Sequence, residues 1–146
     1  MDTVLLTGIV VWMMKTETTI HLEFTTPQWR KLMRSLSPNG RPHPMAKHTA
    51  QRKLKEAVSS RLRSLGLFDP EKPLYDTIKL QYHVLWCGRP PDRTNVIGSL
   101  KAAEDQIVRE GVVTDDSPDH VLGHDVTYER VSHRNETGIS ISIMPL

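Results

Sequence analysis

Acidic and amide side chains stand on both sides of one helical run in this 146-residue chain. Asp92 and Asn95 precede the run, and Asp115 and Asp116 follow it, beside proline or glycine on each side. Adjacent carboxylates repel each other, and a divalent cation relieves that repulsion; Mg²⁺ takes one or two carboxylates together with water and phosphate oxygens. The spacing therefore fits either a Mg²⁺ site, with Mn²⁺ as a substitute, or a solvated turn of ordinary composition.

A lysine lies within the same helical run. Lys101 precedes Asp105 by four residues, a spacing at which a surface ion pair contributes a few tenths of a kcal/mol, roughly. Beside a metal ion, the same ammonium group could instead steady a phosphate or a developing negative charge. The residues alone leave both interpretations open.

Positive charge is concentrated on one predicted helix, although Lys and Arg exceed Asp and Glu by only 19 to 17. The apolar residues between positions 46 and 65 recur at helical spacing, and Gly66 ends the run. The other face is basic, so it is either a solvated helix face or a surface for a DNA backbone. Together with the preceding proline-rich loop, the candidate DNA contacts are Arg41, Lys47, Arg52, Lys53 and Arg61.

Composition excludes several other classes of site. The single cysteine, Cys87, allows neither an intrachain disulfide nor a cysteine-based zinc site and fits a reducing compartment. The seven histidines show no zinc-ligand spacing. Residues 3–14 are apolar but short and lack a leading basic segment, so we expect neither a signal peptide nor a membrane span. A cytoplasmic protein with no membrane partner is predicted.

The elements that must position these residues are strands and helices of one small domain. Alternation and β-branched residues predict strands, and a period of 3.6 predicts helices. The predicted strands cover residues 4–14, 18–24, 77–86, 121–131 and 139–144, and the predicted helices cover residues 27–36, 46–65 and 96–109. This order predicts a single α+β domain over residues 1–146, with a mixed sheet and helices on one face. Residues 1–16 would add an extra strand or an N-terminal extension.

The acidic residues, the lysine and a Gly-Val-Val lead-in form one pattern: Asp92-x-x-Asn95, then Lys101-Ala102-Ala103-x-Asp105, then Gly111-Val112-Val113-x-Asp115-Asp116-Ser117. This pattern resembles that of the RusA-type Holliday junction resolvases, a family common in phages and prophages. The similarity covers residues 89–131, and before them only the order of elements agrees. It implies a RusA-like fold and a homodimeric, Mg²⁺-dependent endonuclease that cuts four-way junctions or other branched DNA by symmetric nicking, in recombination and repair.

Carried over residue by residue, the resemblance makes Asp92, Asp115 and Asp116 metal-binding carboxylates and Lys101 the essential lysine. The chain departs from the family at Thr94, where a second aspartate is usual, and in a longer spacer between Asn95 and Lys101. Fewer carboxylates weaken Mg²⁺ binding unless Asn95, Glu104 or Asp105 supplies a ligand. Two functions therefore remain open: an active nuclease, or a non-catalytic DNA-binding or regulatory module of the same fold with a degenerate metal site.

The length of the central helix adds a geometric expectation. A continuous helix over residues 96–109 spans roughly 20 Å. Asp92 and the Asp115-Asp116 pair would then lie near opposite ends of it, too far apart to share one Mg²⁺ within a chain. We therefore expect a metal site completed across a homodimer, with Asp92 of one subunit near the aspartate pair of the other.

Overall fold

The computed structural model describes residues 18–22, 36, 44–69 and 71–146. Over these residues the elements are β1 (Thr18–Leu22), α1 (Pro44–Ser64), β2 (Ile78–Trp86), α2 (Arg93–Ser99), α3 (Lys101–Arg109), β3 (Val121–Arg130), a short 3₁₀ helix (Arg134–Glu136) and β4 (Gly138–Pro145). The predicted α+β class is confirmed. The predicted strand over 4–14 and the DNA contact Arg41 lie outside the described residues, as does most of the predicted helix over 27–36.

The strands form a mixed sheet in the order β1-β4-β2-β3. β4 runs antiparallel to both β1 and β2, whereas β2 and β3 run parallel. Parallel neighbours need a crossover connection, and α2 and α3 provide it. The residues between the predicted metal carboxylates are therefore the crossover of a β-α-β unit.

The core lies between one face of the sheet and the helices. Alternate residues of β2, from Ile78 to Val84, are fully buried, as the period of a strand predicts. On α1 the buried residues are spaced by four, from Ala50 to Leu62, and α1 packs against α3. Each fully buried Leu or Ile contributes about 1.5–3 kcal/mol, so this shared core fixes the position of α3 relative to the sheet.

The prediction of one continuous helix over residues 96–109 is wrong, because Leu100 separates α2 from α3 with φ −96° and ψ 9°. The side chain of Leu100 is completely buried, so it belongs to the core at the point where the helix axis changes direction. Gly98 and Ser99 precede it, and glycine and serine are weaker helix formers than alanine. The sequence also predicts Asn95 as the N-cap of this helix, and this prediction is wrong, because Asn95 lies inside α2. Asp92 is extended and its carbonyl accepts the first helical hydrogen bond, from Val96 N–H at 3.0 Å, which defines Asp92 as the N-cap.

A left-handed glycine shapes the loop that follows α3. Gly111 has φ 84°, and its backbone passes directly beside the Asp69 carbonyl, where a side chain would collide. Backbone hydrogen bonds join the two segments there: Asp69 N–H donates to the Glu110 carbonyl at 2.9 Å, and Leu74 N–H to the Gly111 carbonyl at 2.9 Å. These bonds fix the start of the loop that carries Asp115 and Asp116.

Among the described residues, no helix has the length and apolar character to cross a membrane.

Candidate functional site

The structure brings the predicted lysine to one of the predicted carboxylates. Lys101 is the first residue of α3, and its Nζ donates a hydrogen bond to Asp116 Oδ2. The same ammonium lies 3.4 Å from Glu104 Oε2 and 3.3 Å from Asp105 Oδ1. We call these four residues, Lys101, Glu104, Asp105 and Asp116, the lysine-carboxylate cluster. The ion pair between Lys101 and Asp105, which their four-residue spacing allows, is therefore present as well.

The lysine-carboxylate cluster carries fixed charges at neutral pH. The hydrogen bond from Lys101 and its positive charge lower the pKa of Asp116. Partial burial alone would lower the pKa of Lys101, but the hydrogen bond to Asp116 and the charge of Glu104 raise it. One ammonium therefore faces three carboxylates, so the formal charge of the cluster at neutral pH is negative. A group whose pKa lies far above neutrality makes a poor general base, so Lys101 is suited to electrostatic work.

Glu104 connects the cluster to the sheet. It is 4% exposed, and His124 Nε2 on β3 lies 3.1 Å from its Oε1. Burial by itself would raise the pKa of Glu104, but the hydrogen bond with His124 and the charge of Lys101 lower it. The sequence offered Glu104 only as a substitute ligand and gave no role to His124. The partnership depends on the register of β3 against β2, which places His124 opposite Leu80 and which no local pattern encodes.

The carboxylate of Asp115, next to Asp116 in the chain, makes its hydrogen bonds within its own turn. Its Oδ1 accepts a hydrogen bond from Ser117 N–H at 2.9 Å, and its Oδ2 lies 4.0 Å from His120 Nε2. The hydroxyl and the amide of Ser117 together lower its pKa, so this carboxylate is also ionised. A short side chain that accepts from a backbone amide two residues on is an Asx-turn, so the predicted turn composition has a structural reason.

Asp92 lies near the carboxyl end of β3, where Tyr128 is located. The Tyr128 hydroxyl donates to the Pro91 carbonyl at 2.9 Å, and burial together with the charge of Asp92 raises the pKa of Tyr128. His124, which contacts the lysine-carboxylate cluster, precedes Tyr128 by four residues on β3, about 13 Å along an extended strand. Over the described part of the chain, no three or more His, Cys, Asp or Glu side chains are grouped so that they could hold a metal ion. Asp92 thus neighbours a different part of β3 from the lysine-carboxylate cluster.

The missing carboxylate at Thr94 and the substitute ligands Asn95 and Asp105 follow the same division. Thr94 is exposed in the first turn of α2, and Asn95 is half-buried in that turn. Asp105 belongs instead to the lysine-carboxylate cluster through its contact with Lys101. The candidate metal ligands thus form two groups at separate levels of the fold.

Some of the predicted DNA contacts adjoin the cluster and others do not. A groove of about 300 Å³ between α1 and the α2–α3 junction is lined by Lys47, Lys55 and Lys101. Lys55 belongs to the basic face that the sequence predicts, and its eight-residue separation from Lys47 places both on one side of the helix. Arg52 lines a neighbouring groove of about 520 Å³ and lies 4.0 Å from Glu56.

The other two predicted contacts on α1, Lys53 and Arg61, are exposed and line neither of these grooves. The basic face of α1 is therefore divided, and its Lys47–Lys55 side faces the cluster.

Comparison with models of protein families and with curated proteins gives no match to this chain. The resemblance to RusA-type resolvases therefore depends on the motif over residues 89–131 alone.

Proposed function

We propose that the chain is a Mg²⁺-dependent, structure-specific endonuclease of the RusA type that nicks four-way junctions or other branched DNA. The observation that supports it most is the hydrogen bond between Lys101 and Asp116, which lie 15 residues apart in the sequence. The motif requires both residues to serve one site, and α3 and the following loop place them in contact. A cytoplasmic location, where DNA and Mg²⁺ are available, is part of the proposal.

The donor chemistry of the cluster fits a hard divalent cation. Carboxylate oxygens are the ligands that Mg²⁺ prefers, and three of them already surround the ammonium of Lys101. Asp115 and Asp116 would hold the ion, which when bound would supply a water of lowered pKa and positive charge to offset that of the phosphate. Lys101, which is charged throughout the neutral range, would bind the phosphate or the leaving oxygen.

Two chains would build each site in this proposal. The contacts of Asp116 lead through Lys101 and Glu104 to His124, whereas Asp92 lies near Tyr128, about 13 Å further along β3. Mg²⁺–oxygen bonds are about 2 Å long. In a homodimer, Asp92 of one subunit would complete the site that holds Asp115 and Asp116 of the other.

The test of that arrangement mixes two inactive variants, Asp92→Asn and Asp116→Asn. If the sites are shared between subunits, each mixed dimer contains one intact site and one doubly altered site, so junction nicking returns on one strand only. If each site lies within a chain, the mixed dimer has no intact site. Activity that stays absent after subunit exchange, verified by mass spectrometry of the mixed dimer, refutes the shared site.

DNA would approach along the groove beside the cluster. Lys47 and Lys55 line it with Lys101, so phosphates bound there would lie next to the proposed catalytic groups. Replacing either Lys47 or Lys55 by glutamine should lower the slope of log affinity against log salt by about 0.9 for duplex arms. Lys72→Gln, which replaces an exposed lysine outside α1 and outside this groove, is the matched control.

The decisive experiment uses a synthetic four-way junction with Mg²⁺ or Mn²⁺ and detects nicks on a denaturing gel. We expect paired nicks from the unaltered chain and a loss of at least about 100-fold in Asp116→Asn and Lys101→Met. Asp119→Asn, an exposed aspartate in the same loop, should leave nicking unchanged. Nicking that survives Asp116→Asn would refute the assigned site.

A second candidate function is a DNA-binding module of the same fold without catalysis. It is favoured by the lack of a three-ligand metal group within one chain over the described residues, together with the missing carboxylate at Thr94. Junction binding with no cleavage at any Mg²⁺ or Mn²⁺ concentration supports this candidate. Absence of both cleavage and salt-dependent binding refutes both.

A further inference from the structure

A second cleft lies at the carboxyl ends of the parallel strands β2 and β3. Trp86 pairs with Arg130 and Val84 pairs with Tyr128, so Trp86 and Tyr128 are diagonal neighbours on one face of the sheet. The chain after β2 closes the cleft, which has a volume of about 460 Å³. Its lining consists of Trp86, Gly88, Arg89, Pro90, Tyr128, Glu129 and Arg130.

The chemistry of this lining is that of a site for a planar, anionic ligand. Tyr128 is 41% exposed, so its ring is available, while Trp86 is half-buried against the core and forms a fixed wall. Arg89 and Arg130 are exposed at the rim and outnumber the one carboxylate, Glu129. Aromatic faces stack on nucleobases, and guanidinium groups bind phosphate with paired donors.

The cleft is also preorganised and large enough. The hydrogen bond from the Tyr128 hydroxyl to the Pro91 carbonyl holds the ring against the chain that leads to Asp92. Volumes of about 300–1,000 Å³ are usual for pockets that take small organic ligands. A single nucleotide fits this range, whereas a base pair within a stacked duplex could not present its face to the rings.

We propose that the cleft binds one unstacked nucleotide of a DNA strand, with the base on Tyr128 and Trp86 and the phosphate on Arg89 and Arg130. The inference rests on the proposed function, because it places this nucleotide beside Asp92, one of the proposed metal ligands. It adds that the substrate has an unpaired base next to the cut, as a branch point can supply, and that the cleft selects for it.

The probe is a fluorescein-labelled oligothymidine of about 12 nucleotides, bound to the full chain and followed by anisotropy over a range of KCl concentrations. Tyr128→Leu should weaken binding by about 5- to 150-fold while leaving the salt slope unchanged, because it removes stacking but no charge. Tyr128→Phe keeps the ring and should stay within about 3-fold of the unaltered chain. Arg89→Gln and Arg130→Gln should each reduce the salt slope by about 0.7.

Arg109→Gln is the matched control for charge, because this exposed arginine at the end of α3 is outside the cleft. Its salt slope should equal that of the unaltered chain. Circular dichroism and thermal melting establish that each variant is folded. The proposal is overturned if folded Tyr128→Leu binds like the unaltered chain, if Arg109→Gln lowers the slope as much as Arg89→Gln, or if the unaltered chain does not bind the oligonucleotide.

The junction assay separates this inference from the proposed nuclease. Oligothymidine binding that depends on Tyr128, without junction nicking, supports the cleft and refutes the catalytic proposal. Junction nicking in a chain whose Tyr128→Leu variant has normal oligothymidine affinity refutes the cleft and leaves the catalytic proposal standing.

Discussion

Glu104 and Asp105 allow a direct test of how burial affects the contribution of a carboxylate to the free energy of unfolding. Both are neighbours on α3, and both contact Lys101, at 3.4 Å and 3.3 Å respectively. Their side chains differ in exposure, 6% for Glu104 and 47% for Asp105. Glu104 also lies 3.1 Å from His124, whose side chain is 24% exposed. We predict that alanine at position 104 destabilises the fold and that alanine at position 105 does not.

The magnitude follows from the contacts that each substitution removes. Hydrogen bonds to a charged group contribute about 1.5–3 kcal/mol each, and a partner left without its bond adds a desolvation cost. Glu104→Ala removes the bonds to His124 and Lys101, so we expect a loss of about 2–4 kcal/mol in the free energy of unfolding. Asp105→Ala removes one exposed ion pair and should change it by less than about 0.5 kcal/mol. For a chain of this size the first loss corresponds to a fall in Tm of about 6–15 °C.

Urea unfolding at pH 7, followed by far-UV circular dichroism, measures both changes. His124→Ala and the Glu104→Ala/His124→Ala pair complete a double-mutant cycle, in which we expect a coupling energy of about 1–2 kcal/mol. The reasoning is refuted if Glu104→Ala costs no more than Asp105→Ala. It is also refuted if the coupling energy is below about 0.5 kcal/mol, because the contact with His124 would then contribute nothing specific.

Acidification gives an independent measurement of the same carboxylate. The pKa of Glu104 is lower in the folded chain than its ordinary value of 4.5, so its ionised form stabilises the fold above that value. This contribution is lost as pH falls through the folded pKa. The unaltered chain should therefore be more stable than Glu104→Gln at pH 7, and the difference should narrow below about pH 4.5. A stability difference between the unaltered chain and Glu104→Gln that does not change with pH would contradict a stabilising ionised Glu104.

The remaining predictions concern the joint between α1 and the end of α3, and urea unfolding tests each of them. Gly111→Ala should lower the free energy of unfolding by about 2–4 kcal/mol, because φ is 84° and the new Cβ would collide with the Asp69 carbonyl. Gly66→Ala, at φ 69° with no atom near the new Cβ, should lower it by about 1 kcal/mol. Equal losses of stability in the two variants would contradict a collision at position 111. Glu110 is buried and accepts a hydrogen bond from the Ser59 hydroxyl; burial alone would raise its pKa, but this bond lowers it. Glu110→Gln should therefore cost about 1–2 kcal/mol at pH 7 and less below about pH 4.5. A constant cost across that range would contradict an ionised Glu110.

The spacing of apolar residues predicts the bounds of α1 but does not predict the break between α2 and α3. The apolar residues of α1 are spaced by four, so the predicted helix over 46–65 agrees closely with Pro44–Ser64. In the crossover the same kind of pattern runs through Leu100 without interruption. Leu100 remains an apolar core residue whether the helix continues or breaks, so a count of apolar positions cannot reveal the break. The local signal for the break is the pair of weak helix formers before Leu100, Gly98 and Ser99, and beyond the break α3 packs against α1.

The candidate site divides in the same way between local and distant information. The sequence pattern placed Lys101 and Asp116 in one site, and their contact is present in the structure. The partner of Glu104 was not predictable, because His124 lies 20 residues later and reaches α3 only through the pairing of β3 with β2. A polar residue on a predicted strand gives no signal of its cross-element partner. Strand register would have to be known first.

The break at Leu100 removes the original reason for a site shared between two chains, which was the length of a continuous helix. The strand topology supplies a different reason. The crossover leaves β2 at the carboxyl end of the parallel pair and enters β3 at its amino end; Asp92 belongs to the first connection and Asp115 to the second. Thr94 belongs to the Asp92 end, so a carboxylate at position 94 could join only a site that Asp92 helps to build. Increased junction nicking by Thr94→Asp would therefore show that Asp92 binds the metal. If the Asp92→Asn and Thr94→Asp double variant kept that increase, the added carboxylate would act elsewhere.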